Sequence, residues 1–297
     1  VLKALSVVKA ASHRSRDLVA GYGELWSARL LASLLEEGEY RRGSVTCVDA
    51  RDILVVEPGE MGPVVVWEQT REQRQQVIPE DYFGIVVVTG FIARNREGLQ
   101  TTLGRNGSDY SASIFGGLLG ADTVNIWTDV EGVMSGDPRR VPEARVIEEI
   151  SYNEAMELAY FGAKVIHPQT MAPAVSHGIP IRIRSTFEPD CLGTSIIDTP
   201  ARRDVLVKGV SGIDGIALVN LEGSGMIGVP GTADRLFGAL REEGISVTLI
   251  SQGSSEHSIC FAVRQELSDE VKSVVEKAFA VELSRGQVQN IEVTKGC

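Results

Sequence analysis

The chain has 297 residues, 43% of them hydrophobic and 23% charged, with a formal net charge of -11, enough for one large α/β domain and a smaller one. No apolar run is long enough to cross a bilayer, and so acidic a surface without a basic patch repels phosphate backbones. No membrane and no nucleic acid is therefore expected among the partners, which leaves small molecules. Cys47, Cys191, Cys260 and Cys297 stand far apart without C-x-x-C spacing, so neither zinc nor a disulfide framework is signalled, and a reducing compartment fits.

Residues 1–11 carry Lys3 and Lys9 among apolar residues, with no signal-peptide layout and no initiating methionine, and read as an internal start. From Val8 to Glu37 apolar residues recur at helical spacing, which predicts two helices broken at Gly21 and Gly23. Apolar runs at Ser44–Val48, Ile53–Val56, Val64–Trp67, Ile85–Val88 and Thr123–Trp127 predict strands, alternating with helix-like or turn-rich segments in an α/β order. Unbroken runs such as Ile85 to Val88 suit a sheet covered on both faces. Ser151 and Glu154 have the spacing of a capping box, opening a helix to Phe161. The turn-rich stretch Phe187 to Arg203 places a boundary near residue 202, giving domains 1–202 and 203–297. Beyond it, strands at Gly215–Leu221, Ile245–Ser251, His257–Val263 and Asn290–Val293 and helices at Thr232–Glu243 and Ser268–Ala280 give a ferredoxin-like βαββαβ order.

Chemistry concentrates in three segments. Gly104-Arg105-Asn106-Gly107-Ser108-Asp109 precedes a small-residue helix, Tyr110 to Gly120, where glycines admit close backbone approach and a helix start attracts anions. Arg105 suits a two-pronged grip on a carboxylate, while the plainer alternative makes Ser108 or Asp109 an ordinary helix cap. Thr128-Asp129-Val130-Glu131-Gly132 follows a strand, with Asp137-Pro138-Arg139 in the same loop. Arg139 either faces phosphates or forms a solvated pair with Arg140. Lys164, in Gly162-Ala163-Lys164, either balances phosphate charge or favours a helix C-terminus, and His167 beside Pro168 reads as structural.

Taken together, G-R-N-G-S-D, W-T-D-V-x-G-V with D-P-R, S-Y-x-E-A-x-E-L and F-G-A-K-V-x-H-P resemble the aspartokinase family in order and spacing. Gly23-Glu24-Leu25-Trp26-Ser27-Ala28 and Thr89-Gly90-Phe91 extend the resemblance over nearly the whole chain. It implies an amino-acid-kinase-like αβα sandwich plus an ACT regulatory domain, and ATP-dependent phosphorylation of the aspartate β-carboxylate with Mg²⁺, the first step toward lysine, threonine and methionine. It places Glu24, Phe91, Arg105, Ser108 and Asp109 around aspartate. Thr128, Asp129, Asp137, Arg139 and Lys164 fall around ATP, with Arg105, Asp109 and Lys164 as the catalytic set and no dedicated protein metal site. In the second domain it implies an amino-acid effector near Met226, Gly228 and Gln252, threonine being favoured by likeness to kinase–homoserine dehydrogenase fusions and lysine remaining open. The Gln252 amide both donates and accepts.

The resemblance further implies a homo-oligomer through the ACT domain, with Val205-Leu206-Val207 as an edge strand or a loosely held one, in the cytoplasm or, for a plant protein, the plastid stroma. Two departures stand out. The family's opening K-F-G-G-T-S loop is not among these residues, which keeps a non-catalytic sensing fragment as the alternative. Met134 replaces a common aromatic beside the nucleotide.

Overall fold

The computed structural model describes residues 12–38, 43–60, 62–160, 168–200 and 206–296. Two compact units emerge, residues 1–211 and 212–297, and the boundary expected near residue 202 falls outside the described residues. Among the described residues no helix is long and apolar enough to cross a membrane.

In the first unit, helix α1 (His13–Glu37) is capped by Ser12, whose hydroxyl accepts the Ser15 N–H at 3.2 Å. It runs unbroken through both glycines, against the expectation of two helices. Gly21 is buried against Ile92 and Gln100, so it serves close approach and not a break, whereas Gly23 faces open space. Leu25, Ala28 and Ala32 turn inward, the latter two packing near Val45, Ile85 and Val87. These last three belong to β1 (Ser44–Val48) and β4 (Gly84–Val88), a parallel pair in register from Ser44↔Gly84 to Val48↔Val88. Only Val87 of the β4 run Ile85–Val88 is fully buried, so the double coverage expected there is partial.

The strand expected at Ile53–Val56 begins later, because Ile53 ends a helical turn, α2 (Ala50–Ile53), in which the Asp49 carboxylate accepts the Arg51 N–H and the Thr89 hydroxyl accepts the Ala50 N–H; Val55 then makes an isolated parallel bridge with Arg94. Only Val56–Glu57, β2, is strand, pairing with β3 (Val64–Val65). Trp67, expected to end that strand, opens α3 (Trp67–Val77), whose run of polar residues favours a solvated helix. A hairpin follows, β5 (Ile92–Arg94) with β6 (Gln100–Thr102).

Helix α4 (Gly107–Leu119) packs on β7 (Val124–Thr128) and on α6 (Pro168–Ser176). The capping box forms as expected at the start of α5 (Tyr152–Tyr160). Glu154 N–H donates to Ser151 Oγ at 3.1 Å and Ser151 N–H donates to the Glu154 carboxylate at 2.7 Å. The mixed sheet runs β7, β9 (Ile181–Ser185), β10 (Thr194–Ile197), β8 (Glu149–Ser151), with β7 parallel to β9. Isoleucines 126, 150, 181, 183 and 196 form its buried core with Met171.

Leu206 and Val207, expected as an edge strand with Val205, carry no strand and are 99% and 70% exposed; Val205 lies outside the described residues. Just beyond, the chain is fastened to the first unit. Lys208 pairs with Glu154 at 2.9 Å, and Val210 N–H donates to Ser135 O at 2.9 Å.

The second unit has the expected βαββαβ order: β11 (Ile216–Glu222), α7 (Thr232–Glu242), β12 (Leu249–Gln252), β13 (Ser258–Arg264), α8 (Ser268–Ala278) with a short α9 (Ala280–Ser284), and β14 (Asn290–Lys295). Its antiparallel sheet runs β12, β13, β11, β14. Alternate residues Ala217, Val219 and Leu221 face Leu236, Leu240, Val271 and Val275 of the two longer helices, the period-two burial of a sheet with one covered face. Strand β12 begins later than expected because the Ile245 N–H closes α7 by donating to Leu240 O.

Candidate active site

The chain leaving β4 makes a tight turn at Thr89-Gly90-Phe91. Phe91 sits at φ 65°, and the Ile92 N–H donates to Gly90 O at 2.6 Å, closing three residues. A bulky residue with positive φ costs on the order of 1–3 kcal/mol and persists where its surroundings hold it. Here they do. Phe91 N–H donates to Ser111 Oγ at 2.9 Å, Leu103 N–H donates to Phe91 O at 2.8 Å, and Ser111 Oγ donates to Gly107 O at 2.9 Å. Ser111 was not singled out from sequence, and Thr89, which ties the ends of β1 and β4, was named only as part of the Thr89-Gly90-Phe91 segment, because each acts through contacts distant in the chain.

The same turn lies against the start of α4. A Cβ on Gly107 would stand 2.8 Å from the Phe91 ring, and one on Gly90 would stand 3.4 Å from Ser108 Oγ. Glu24 comes in from α1, its carboxylate accepting the Gly90 N–H; burial pushes its pKa up, and that hydrogen bond works against the rise. Glu24, Phe91 and Ser108 are thus brought together, with Arg105 and Asp109 as chain neighbours.

Helix α4 starts three residues before the expected Tyr110, so Ser108 and Asp109 lie inside its first turn and neither is the cap. Asn106 takes that place in a left-handed conformation, φ 54° and ψ 29°, without a side-chain cap bond. The Asn-Gly dipeptide was the available signal, since Asn tolerates this conformation. The N–H groups of Ser108 and Asp109 make no hydrogen bond among the described residues, which leaves donors aimed outward at the positive end of the helix dipole. Arg105 is exposed and makes no ion pair among the described residues. Asp109 is half-buried, and burial raises its carboxyl pKa.

A second group lies at the ends of the parallel pair β7 and β9, where Thr128 is in register with Ser185. Thr128 Oγ1 donates to Asp129 at 3.1 Å, and Thr128 O accepts both the N–H and the hydroxyl of Thr186 at 2.9 and 3.1 Å. Trp127 carries the Arg184 guanidinium 4.6 Å above its ring. In the following loop Asp137 accepts from Arg139 Nε at 3.0 Å and Nη2 at 2.8 Å, and this grip pulls the Asp137 pKa down. Arg139 is therefore already half of an ion pair. Lys164 and His167 lie outside the described residues. No cluster of three or more His, Cys, Asp or Glu able to hold a metal occurs among the described residues.

In the second unit the turn after β11 holds Met226, whose side chain is 5% exposed and belongs to the core, so that the residue offers the turn's exterior its backbone and not its thioether. Its thioether shapes the turn from beneath. Gly228 N–H already donates to the Glu256 carboxylate at 2.9 Å, with Glu256 itself at φ 56°. Gln252 ends β12, exposed and without a hydrogen bond from its side chain among the described residues.

A model of the amino acid kinase family matches residues 3–185, and an ACT domain model matches residues 219–279. A chloroplastic bifunctional aspartokinase/homoserine dehydrogenase 2 of Arabidopsis thaliana is 41% identical over 305 residues, covering 100% of this chain and 33% of that protein. The chain thus spans about a third of the length of this relative. Among solved structures, E. coli aspartokinase III in complex with aspartate and ADP aligns at a TM-score of 0.72 and 30% identity, over 96% of this chain and 63% of that one. The same enzyme in complex with lysine and aspartate aligns with equal TM-score and identity, over 96% and 62%.

Proposed function

The chain belongs to the amino acid kinase family, and on that premise we propose that it acts as an aspartate kinase, moving the γ-phosphoryl group of ATP to the β-carboxylate of aspartate to form 4-phospho-L-aspartate. The observation that carries this reading is the convergence of the strained Phe91 turn, the Glu24 carboxylate and the open N-terminus of α4. A small amino acid with two carboxylates and one ammonium finds complementary groups there. Arg105 and the free N–H groups of Ser108 and Asp109 take a carboxylate, while Glu24 or Asp109 takes the ammonium. The Phe91 ring walls one side.

ATP is assigned to the ends of β7 and β9, with Thr128 and Asp129 toward the nucleoside and Arg139, ordered by Asp137, and Lys164 toward the phosphates. In-line phosphoryl transfer needs positioning and charge neutralisation more than covalent help, so these residues orient and offset charge. Magnesium carried on the phosphates would supply further neutralisation. It keeps most of its waters, so the absence of a three-ligand cluster among the described residues does not conflict with it. The second unit is assigned to feedback by an end-product amino acid, threonine or lysine, near Gly228 and Gln252, with self-association through this unit. Support comes from the exposed Gln252, at the end of the strand leading to the turn whose Glu256 accepts the Gly228 N–H, and from a lysine complex among the similar structures.

The test is ADP formation that depends on aspartate, measured alongside calorimetric binding of aspartate and of ATP. Aspartate binding lost in Arg105→Ala with ATP binding intact is expected. Aspartate-independent behaviour throughout would refute the assignment.

A further inference from the structure

A cavity of about 440 Å³ lies in the first unit between α3 and the β5–β6 hairpin, lined by Val55, by residues of α3 and by the chain from Arg94 to Gly98. None of the residues assigned to aspartate, to ATP or to an effector lines it. Its volume falls in the range of roughly 300–1,000 Å³ usual for small-molecule sites.

The walls are fixed from behind. Val55 N–H donates to Thr70 Oγ1 at 3.2 Å, tying α3 to the stretch between α2 and β2, and Arg94 N–H donates to Leu54 O at 3.0 Å, tying β5 to the same stretch. In the hairpin turn Asn95 Oδ1 accepts the N–H groups of Glu97 and Leu99 at 3.0 and 2.9 Å.

The polar groups of this cavity are not satisfied by one another. Arg94 is partly buried, and its guanidinium makes no ion pair and no hydrogen bond among the described residues, whereas the neighbouring Arg96 is held by Glu57 at 2.9 Å. Glu72 of α3 makes no ion pair among the described residues either. Gln69 and Gln73 flank it on one face of the helix, four residues apart, and their amides are likewise without hydrogen bonds among the described residues. A guanidinium that has lost water without gaining a partner is stabilised by an arriving anion. The cavity thus presents one unanswered positive charge from the hairpin, one unanswered negative charge from the helix, and two amides that both donate and accept. A simple anion would be repelled by Glu72 and a simple cation by Arg94. A small molecule carrying both charges answers both.

We propose that this cavity binds a free amino acid with a polar side chain, its carboxylate on Arg94, its ammonium on Glu72 and its side chain on the amides of Gln69 and Gln73. The site is separate from the Phe91 turn and from the second unit, and it does not depend on the aspartate kinase assignment.

Thermal unfolding of the whole chain with each protein amino acid in turn, at about 10 mM, tests it. The Arg105→Ala, Gln252→Ala double variant is run beside the unsubstituted chain, so that a response at the assigned substrate or effector site is recognised by its loss. At least one polar amino acid is expected to raise the melting temperature of both proteins, by about 3–6 °C at ten times its Kd. By calorimetry the Kd of that ligand rises at least about tenfold in Arg94→Gln, and about threefold or more in Glu72→Gln. Its des-amino analogue, which keeps the carboxylate alone, is weakened by Arg94→Gln and not by Glu72→Gln. Because Glu72 is exposed, its substitution decides the matter even if Arg94→Gln disturbs the hairpin. A double variant that no amino acid stabilises overturns the proposal. So does a ligand whose Kd is indifferent to Glu72→Gln or to Arg94→Gln.

Discussion

Gly21 and Gly23 sit two residues apart in one helix, and replacing each with alanine is expected to move stability in opposite directions. Alanine is favoured over glycine by about 1 kcal/mol in a helix interior. At Gly23 nothing lies within 4 Å of a new Cβ, so Gly23→Ala should gain most of that amount. At Gly21 the new Cβ would overlap Gln100 Nε2 and stand 2.9 Å from Ile92 Cγ2. Ile92 is fully buried and has nowhere to go. Gln100 is held at both ends, its Nε2 donating to Asp17 O at 2.7 Å and its Oε1 accepting from Arg51 Nη1 at 2.6 Å. Displacing it gives up a neutral hydrogen bond worth about 1 kcal/mol and a charged one worth about 1.5–3 kcal/mol. Overpacking adds to this. After the helix gain is subtracted, Gly21→Ala should destabilise by at least about 1.5–3 kcal/mol. In a unit of this size that is a fall of roughly 2–4 °C in melting temperature per kcal/mol, readable by calorimetry beside the Gly23→Ala rise. Should both variants gain stability, the contact between α1 and β6 is not what excludes a side chain at residue 21.

Arg105→Ala should raise the KM for aspartate by about tenfold or more while leaving that for ATP within about threefold, because only the carboxylate grip is lost; equal changes in steady-state kinetics would contradict the assignment. Asp109→Asn should stabilise the fold at neutral pH and weaken aspartate binding, since burial already disfavours this charge; a melting temperature that falls would show the carboxylate to be structurally required. Glu282 is held by Arg235 at a pKa of about 2, down from 4.5, so its contribution is present above the ordinary carboxylate range and is lost as pH falls toward 2. Acid titration of the folded second unit should therefore begin at higher pH in Arg235→Ala, and identical curves would mean the pair contributes nothing. Ser151→Ala should cost about 1 kcal/mol through loss of the α5 cap, measured by urea unfolding.

What the sequence revealed and what it hid follow from the range of the interactions involved. The capping box of α5 was legible because Ser151 and Glu154 satisfy each other three residues apart. The βαββαβ order of the second unit was legible because β11 alternates against a single covered face and the two longer helices are amphipathic, although β12 is exposed along its length. Gly21 was misread as a helix break because its reason for being glycine is Gln100, far away in the chain. The start of α4 was misplaced because Asn106 takes the cap position in a left-handed conformation without a side-chain cap bond. Arg105, Ser108, Asp109 and Phe91 were assigned through motif likeness. What holds the Phe91 turn is Ser111 and the Glu24 contact with Gly90, contacts that local spacing does not encode. That the Met226 thioether fills the core was not legible, since an apolar residue in a glycine-rich turn has the same sequence signature whether it points inward or outward.

The fastening of residues 208–210 has a mechanical consequence. Whatever displacement reaches residue 212 from the second unit arrives first at a clamp with two anchors, the Lys208 ammonium on Glu154 and the Val210 amide on Ser135. One anchor is the residue that caps α5. The other stands two positions before Asp137, in the loop whose acid aligns Arg139. A pull on this tether is thus divided between the capping box of α5 and the loop whose acid orders Arg139.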